Sequence, residues 1–143
     1  MRVVLDTNVV LDWLVFQEIA LEPLRHAVRD GRVSLLAHAS ALDELLRVLQ
    51  YPRLRLEVQQ QERVLKQYSE LTQLFEHRAE RQELPRGFPC CSDPDDDHFL
   101  SLAYLARADA LVSKDRQVLV LKKRMAKFGV RVLTPQQFML SAT

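Results

Sequence analysis

A chain of 143 residues, 48% apolar and 27% charged, is long enough to bury about 70% of the surface its unfolded form exposes; a single domain over residues 1–143 is expected, with no staple needed. Asp6 and Asp12 interrupt the N-terminal apolar residues, which argues against a signal peptide, and no run approaches the roughly 20 apolar residues of a membrane span, so a cytoplasmic protein with no membrane partner is expected. Cys90 and Cys91 are adjacent and give neither a disulfide framework nor a zinc pattern, so both are expected to be small buried residues in a reducing compartment.

The formal net charge of +1 conceals an asymmetry along the chain. Residues 87–106 carry four Asp and no Lys or Arg, whereas residues 107–143 carry eight Lys or Arg against two acids. An acidic cluster followed by a basic tail is what a metal site beside a polyanion-binding surface would show, although solvated helix faces give similar patterns.

Taken in order, Arg2-Val3-Val4-Leu5 reads as a short strand that delivers Asp6, Thr7 and Asn8 where the apolar pattern breaks. Val9 to Val28 has helical spacing, with a break expected near Pro23 and a restart to Val28. Asp30-Gly31 marks a turn and Val33 to Ala37 a second strand. Ser40 is the expected N-cap of the next helix, with Asp43 in the capping-box position and Glu44 just after it, Leu42, Leu45, Leu46 and Leu49 on its buried side, and Pro52 at its end. Residues 55–75 are polar and Gln-rich, suggesting one or two surface helices, and a third strand is placed near Leu74 to Arg78.

Ser92-Asp93-Pro94-Asp95-Asp96-Asp97-His98 is the densest acidic run. Asp93 is the expected N-cap and Pro94 the first helical residue, so Asp95, Asp96 and Asp97 fall in the opening turn, where the helix dipole favours negative charge. Ala110 to Ser113 is a strand with Asp115 two residues beyond it. A short helix from Val118 carries Lys122, Lys123, Arg124 and Lys127, Gly129 closes it, Val130 to Leu133 is a last strand and Pro135 to Met139 a last helical turn. Strands alternating with helices predict a three-layer α/β/α domain with a mostly parallel central sheet.

Acids thus recur at strand ends or in the first turn of the next helix: Asp6, Glu44, the Asp93 to Asp97 group, and Asp115. In a parallel sheet those ends face one way, so the acids converge and repel unless a hard cation sits among them. With no His or Cys cluster at ligand spacing, oxygen ligands favour Mg²⁺ or Mn²⁺ over Zn²⁺, and such ions serve phosphodiester hydrolysis.

Val4-Leu5-Asp6-Thr7-Asn8, the Ser40 to Leu49 helix with Glu44, Asp93 through Leu100, and Leu111-Val112-Ser113-Lys114-Asp115 together resemble a PIN-domain nuclease over nearly the whole chain. The Asp-Pro-x-Asp-Asp form is most similar to the branch described as toxin components of toxin–antitoxin pairs. The resemblance implies that Asp6, Glu44, Asp96 and Asp115 form the catalytic, metal-holding set for Mg²⁺ or Mn²⁺, with Asn8 and Ser113 as polar supports. It places Asp96 by register with Phe99 and Ala103, leaves Asp97 as the competitor and Asp93 as cap or outer ligand. It further implies an RNA substrate, an antitoxin protein as partner and a homodimer.

Each acid also has a plainer reading as a cap or solvated helix residue; their recurrence favours the site. Lys122, Lys123, Arg124 and Lys127 would suit phosphates or a solvated face equally well. His38, His77 and His98 read as structural or exposed, Trp13 as core or interface, and the stripe Trp13, Leu14, Phe16 hints at a protein partner. Two other functions remain open. One is a binding module for nucleic acid or protein that keeps the fold without catalysis. The other is a phosphatase with Asp6 as nucleophile, which would want an acid where Asn8 stands.

Overall fold

Arg2–Leu5 forms β1, and every other strand lies parallel to it in the computed structural model, which describes residues 1–77, 80–92 and 96–142. The remaining strands are β2 (Ser34–His38), β3 (Thr72–Phe75), β4 (Ala110–Val112) and β5 (Arg131–Leu133), arranged β3-β2-β1-β4-β5. Val4 is in register with Leu36 on one side and Leu111 on the other. The expected parallel α/β sheet is present, parallel at every described pairing.

Side chains alternate along each strand and so build a core on either face. Val3, Leu5, Leu35, Ala37, Ala110 and Val112 face one core, shared with α1 (Thr7–Leu14), α2 (Glu22–Arg29), α3 (Ala39–Leu49), α4 (Val58–Leu71) and α8 (Pro135–Ala142). Val4, Leu36, Leu111 and Val132 face the other, shared with α5 (Asp97–Leu105), α6 (Arg116–Leu119) and α7 (Lys122–Ala126). Trp13 is a core residue at 1% exposure, Leu14 is buried beside it, and of that stripe only Phe16 faces solvent. Burial of each such large side chain contributes about 1.5–3 kcal/mol relative to leaving it exposed. No helix among the described residues is long and apolar enough to cross a membrane.

Several local expectations are corrected. The first helix stops at Leu14, well before Pro23: Phe16 N–H reaches back to Leu11 O, Gln17 adopts a left-handed φ of 51°, and Glu18 N–H bonds Asp12 O. Pro23 sits in the first turn of α2, where its missing N–H costs nothing. Ser40 lies inside α3; His38 is the N-cap, its Nδ1 accepting from Ser40 N–H at 3.0 Å, and Asp43 is exposed and forms no capping box. β3 begins two residues before the expected place, directly after α4, whose own start is fixed by a capping box between Glu57 and Gln60. Cys91 is buried but Cys90 is exposed. The basic helix is split into α6 and α7.

The chain moves from β1 outward through β2 to β3, then crosses to β4 and β5 on the opposite side. The reversal lies between β1 and β4, and in open parallel sheets the crevice beyond such a pair is where ligands bind.

Candidate active site

Asp6 is the first residue past β1, at that reversal. Its N–H donates to Val112 O of β4 at 3.0 Å, tying it to both strands, and its Oδ1 caps α1 by accepting from Val9 N–H at 3.1 Å. It is only 5% exposed. Burial pushes its carboxyl pKa up; hydrogen bonds from Ser113 and the Val9 backbone oppose that push, and the charge of Asp115 adds to it.

Ser113, just past β4 and fully buried, links the second acid. Its hydroxyl donates to Asp6 Oδ2 and accepts from Asp115 N–H at 3.0 Å. Asp115 is the N-cap of α6, with Oδ1 accepting from Gln117 N–H at 2.9 Å. Asp6 and Asp115 are therefore brought together through one serine.

Glu44 lies in the second turn of α3, half-buried. Oε2 is buried and 3.4 Å from His98 Nε2 of α5, an approach too long for a good hydrogen bond. Burial raises the Glu44 pKa, but the His98 imidazole, a hydrogen bond from Thr7 and the charge of Arg47 outweigh it and hold the group below the ordinary carboxylate range. Thr7 is the neighbour of Asp6, so Glu44 joins the same edge.

Asp96 is half-buried directly before α5, two residues before His98, with helical dihedrals in a 3-10 turn that leads into the helix. Asp97 is the first helical residue, and its Oδ1 accepts from Cys91 N–H at 2.5 Å. Asp93, Pro94 and Asp95, with the expected cap and outer ligand, lie outside the described residues.

Two features went unread in the sequence. Tyr68 of α4 is buried, and burial together with the Asp6 charge pushes its phenol pKa up, so a neutral hydroxyl stands near Asp6. Lys114, between Ser113 and Asp115, forms a 2.6 Å ion pair with buried Asp12 of α1. The helical period that put Asp12 among apolar residues was the available signal for the latter; Tyr68 gave none beyond its apolar phase. Asn8 is exposed. Lys122, Lys123, Arg124 and Lys127 are all exposed on and just past α7.

Among the described residues, no three His, Cys, Asp or Glu are gathered closely enough to hold a metal ion. The donor chemistry nevertheless fits a hard divalent cation. Asp6 is a desolvated carboxyl beside another acid, and Glu44 Oε2 is a buried oxygen without a hydrogen bond.

A family model described as a PIN domain matches residues 2–117, a span from β1 through Asp115 into α6. No curated protein and no solved structure gives a significant match.

Proposed function

This chain belongs to the PIN-domain family, whose members are typically nucleases using divalent metals, and from that premise we propose that it is a Mg²⁺- or Mn²⁺-dependent endoribonuclease, the toxin of a toxin–antitoxin pair. The observation that carries the reading is the Asp6–Ser113–Asp115 linkage across the β1/β4 reversal, with Glu44 on the same edge.

Asp6, Glu44, Asp96 and Asp115 would hold the cation. When bound, it would lower the pKa of a water and neutralise charge on the phosphoryl group. The chain's own residues do the positioning. The Val9 N–H and the Ser113 hydroxyl fix both oxygens of Asp6, and Gln117 N–H fixes Asp115. Thr7 and His98 fix Glu44. The exposed cations of α7, past Asp115, supply phosphate contacts that hold RNA without reading its sequence. Exposed Phe16 and Ile19 offer apolar surface for an antitoxin or for a second copy in a homodimer.

The test is cleavage of mixed-sequence RNA with Mg²⁺ or Mn²⁺. The parent should cut internally, and Asp6→Asn and Asp115→Asn, shown folded by circular dichroism, should lose at least about a hundredfold in rate, the scale of removing one group that stabilises the transition state. Equal rates for parent and variants would sink the reading.

A further inference from the structure

The pocket that shares His98 with the candidate active site carries chemistry which the metal does not use. It is a cavity of about 100 Å³, partly open to solvent, lined by His38, Phe75, His77, His98, Leu102 and Leu105 among others. His38 and Phe75 are register partners on β2 and β3, at the carboxyl ends of both strands. β3 is the edge strand, and Phe75 packs against the core face that α5 covers. The opposite wall is α5 itself, which contributes His98, Leu102 and Leu105.

Three properties of the lining limit what it takes. No Lys or Arg among the described residues lines it. Its walls combine a phenyl ring and leucines with three imidazoles, of which His77 is held at Nε2 by the Glu83 carboxylate at 2.9 Å, a lining that suits a flat, largely apolar ring bearing hydrogen-bonding edges. His98 is 8% exposed, its Nδ1 has no hydrogen-bond partner, and a buried polar nitrogen in that state calls for one. His38 Nδ1 accepts from Ser40 N–H, which puts the proton of its neutral ring on Nε2 and makes that atom a donor.

We infer that this pocket receives one unpaired nucleobase of the RNA, next to the phosphodiester that the carboxylate site would cut, and so gives the enzyme a base preference. The inference rests on the nuclease reading for the identity of its ligand. The connection is His98: Nε2 faces Glu44 at 3.4 Å while the ring lines the pocket, so a strand whose phosphate reaches Glu44 carries its adjacent base past this opening. Phe75 supplies the stacking face and His98 Nδ1 the edge contact.

Two measurements test it separately from the nuclease reading. In the first, the isotopically labelled protein, free of divalent metal, is titrated with AMP, GMP, CMP, UMP and, as the sugar–phosphate control, ribose 5-phosphate. At least one nucleotide should shift Phe75, His77, His98 and Leu102 resonances and bind at least tenfold more tightly than the control. Phe75→Leu, which keeps apolar volume but removes the ring, should weaken it by roughly tenfold, within the range for losing a base–aromatic stack. Equal binding of nucleotides and control, or shifts confined elsewhere, overturns the pocket. In the second, kcat/KM is measured with Mn²⁺ on oligoribonucleotides that differ at one position. The parent should show at least a tenfold spread, and Phe75→Leu and His77→Ala should narrow it. Cleavage by the parent with no base preference, or a spread those variants leave intact, overturns the proposal whatever the titration gives. If the parent cuts no RNA, the nuclease reading has failed and the titration alone decides the pocket.

Discussion

The Ser113 hydroxyl donates to Oδ2 of Asp6, although the two residues are 107 positions apart, and the same oxygen accepts the N–H of Asp115. One serine therefore holds one acid and orients the next. Ser113→Ala should leave a buried Asp6 oxygen without its donor and lower stability by about 1–3 kcal/mol, read from denaturant midpoints. It should also weaken Mn²⁺ binding by calorimetry.

Asp6 is buried at a cost to the fold, since burial raises its pKa. Asp6→Asn should thus raise the stability of the metal-free protein at pH 7, on the order of 1 kcal/mol, while abolishing cleavage. Because the folded pKa lies above the ordinary value, the penalty exists where the carboxylate is charged and fades as pH falls through the folded pKa. The advantage of Asp6→Asn should shrink on acidification, followed by thermal melts between pH 7 and 4.

Glu44 has the opposite sign. Its folded pKa lies below the ordinary value of 4.5, so it contributes stability above that value and loses it as pH falls through the folded pKa. Glu44→Gln should be less stable than the parent at pH 7 and converge with it in acid. A Glu44→Gln protein that melts above the parent at pH 7 would contradict the assignment.

Asp12 is buried and Lys114 half in solvent, joined at 2.6 Å. The ion-pairing hydrogen bond with Asp12 raises the Lys114 pKa, so this stabilisation is present at neutral pH and is lost only as pH rises through the folded pKa of the lysine. Lys114→Met should destabilise by about 1–2 kcal/mol, below the 3–5 of a fully buried pair because solvent screens the lysine. Restoring the balance with Asp12→Asn should recover part of it, which a double-mutant cycle would register.

Divalent metal should raise the melting temperature of the parent, with a gain of about 2.7 kcal/mol at a hundredfold excess over Kd, and EDTA should reverse it. Asp6→Asn should show little of this gain. Neutralising Lys122, Lys123 and Arg124 together should weaken RNA binding evenly across sequences. The dependence of log K on log salt should fall by up to about 0.7 for each phosphate of a single strand that the variant no longer neutralises.

β1, β2, β4 and β5 and the acid-bearing edges were legible because each of these strands is a short, largely apolar run followed by polar residues. Asp6 after Leu5 and Ser113 after Val112 needed nothing more. What stayed hidden depends on contacts between distant residues or on caps of unexpected chemistry. His38 replaces serine as the N-cap because a neutral imidazole nitrogen accepts from the backbone as a hydroxyl does. α1 stops without Gly or Pro, through bonds from Phe16 and Glu18 back into the helix. β3 follows α4 with no turn signal between Leu71 and Thr72. The pairing of His98 with Glu44 joins two helices 54 positions apart, which periodicity along one segment cannot reveal.

The central position of β1 has a consequence for how the protein is made. Of these five strands β1 is made first, yet it borders both β2 and β4, so one flank of the innermost strand stays open until residues 110–112 have been synthesised. Asp6 gains Ser113 and Asp115 at that same moment. A nascent chain halted anywhere before β4 has Asp6 and Glu44 but neither Asp115 nor the serine that orients the pair, so the proposed site stays incomplete until the fourth strand and the residues just past it have been made.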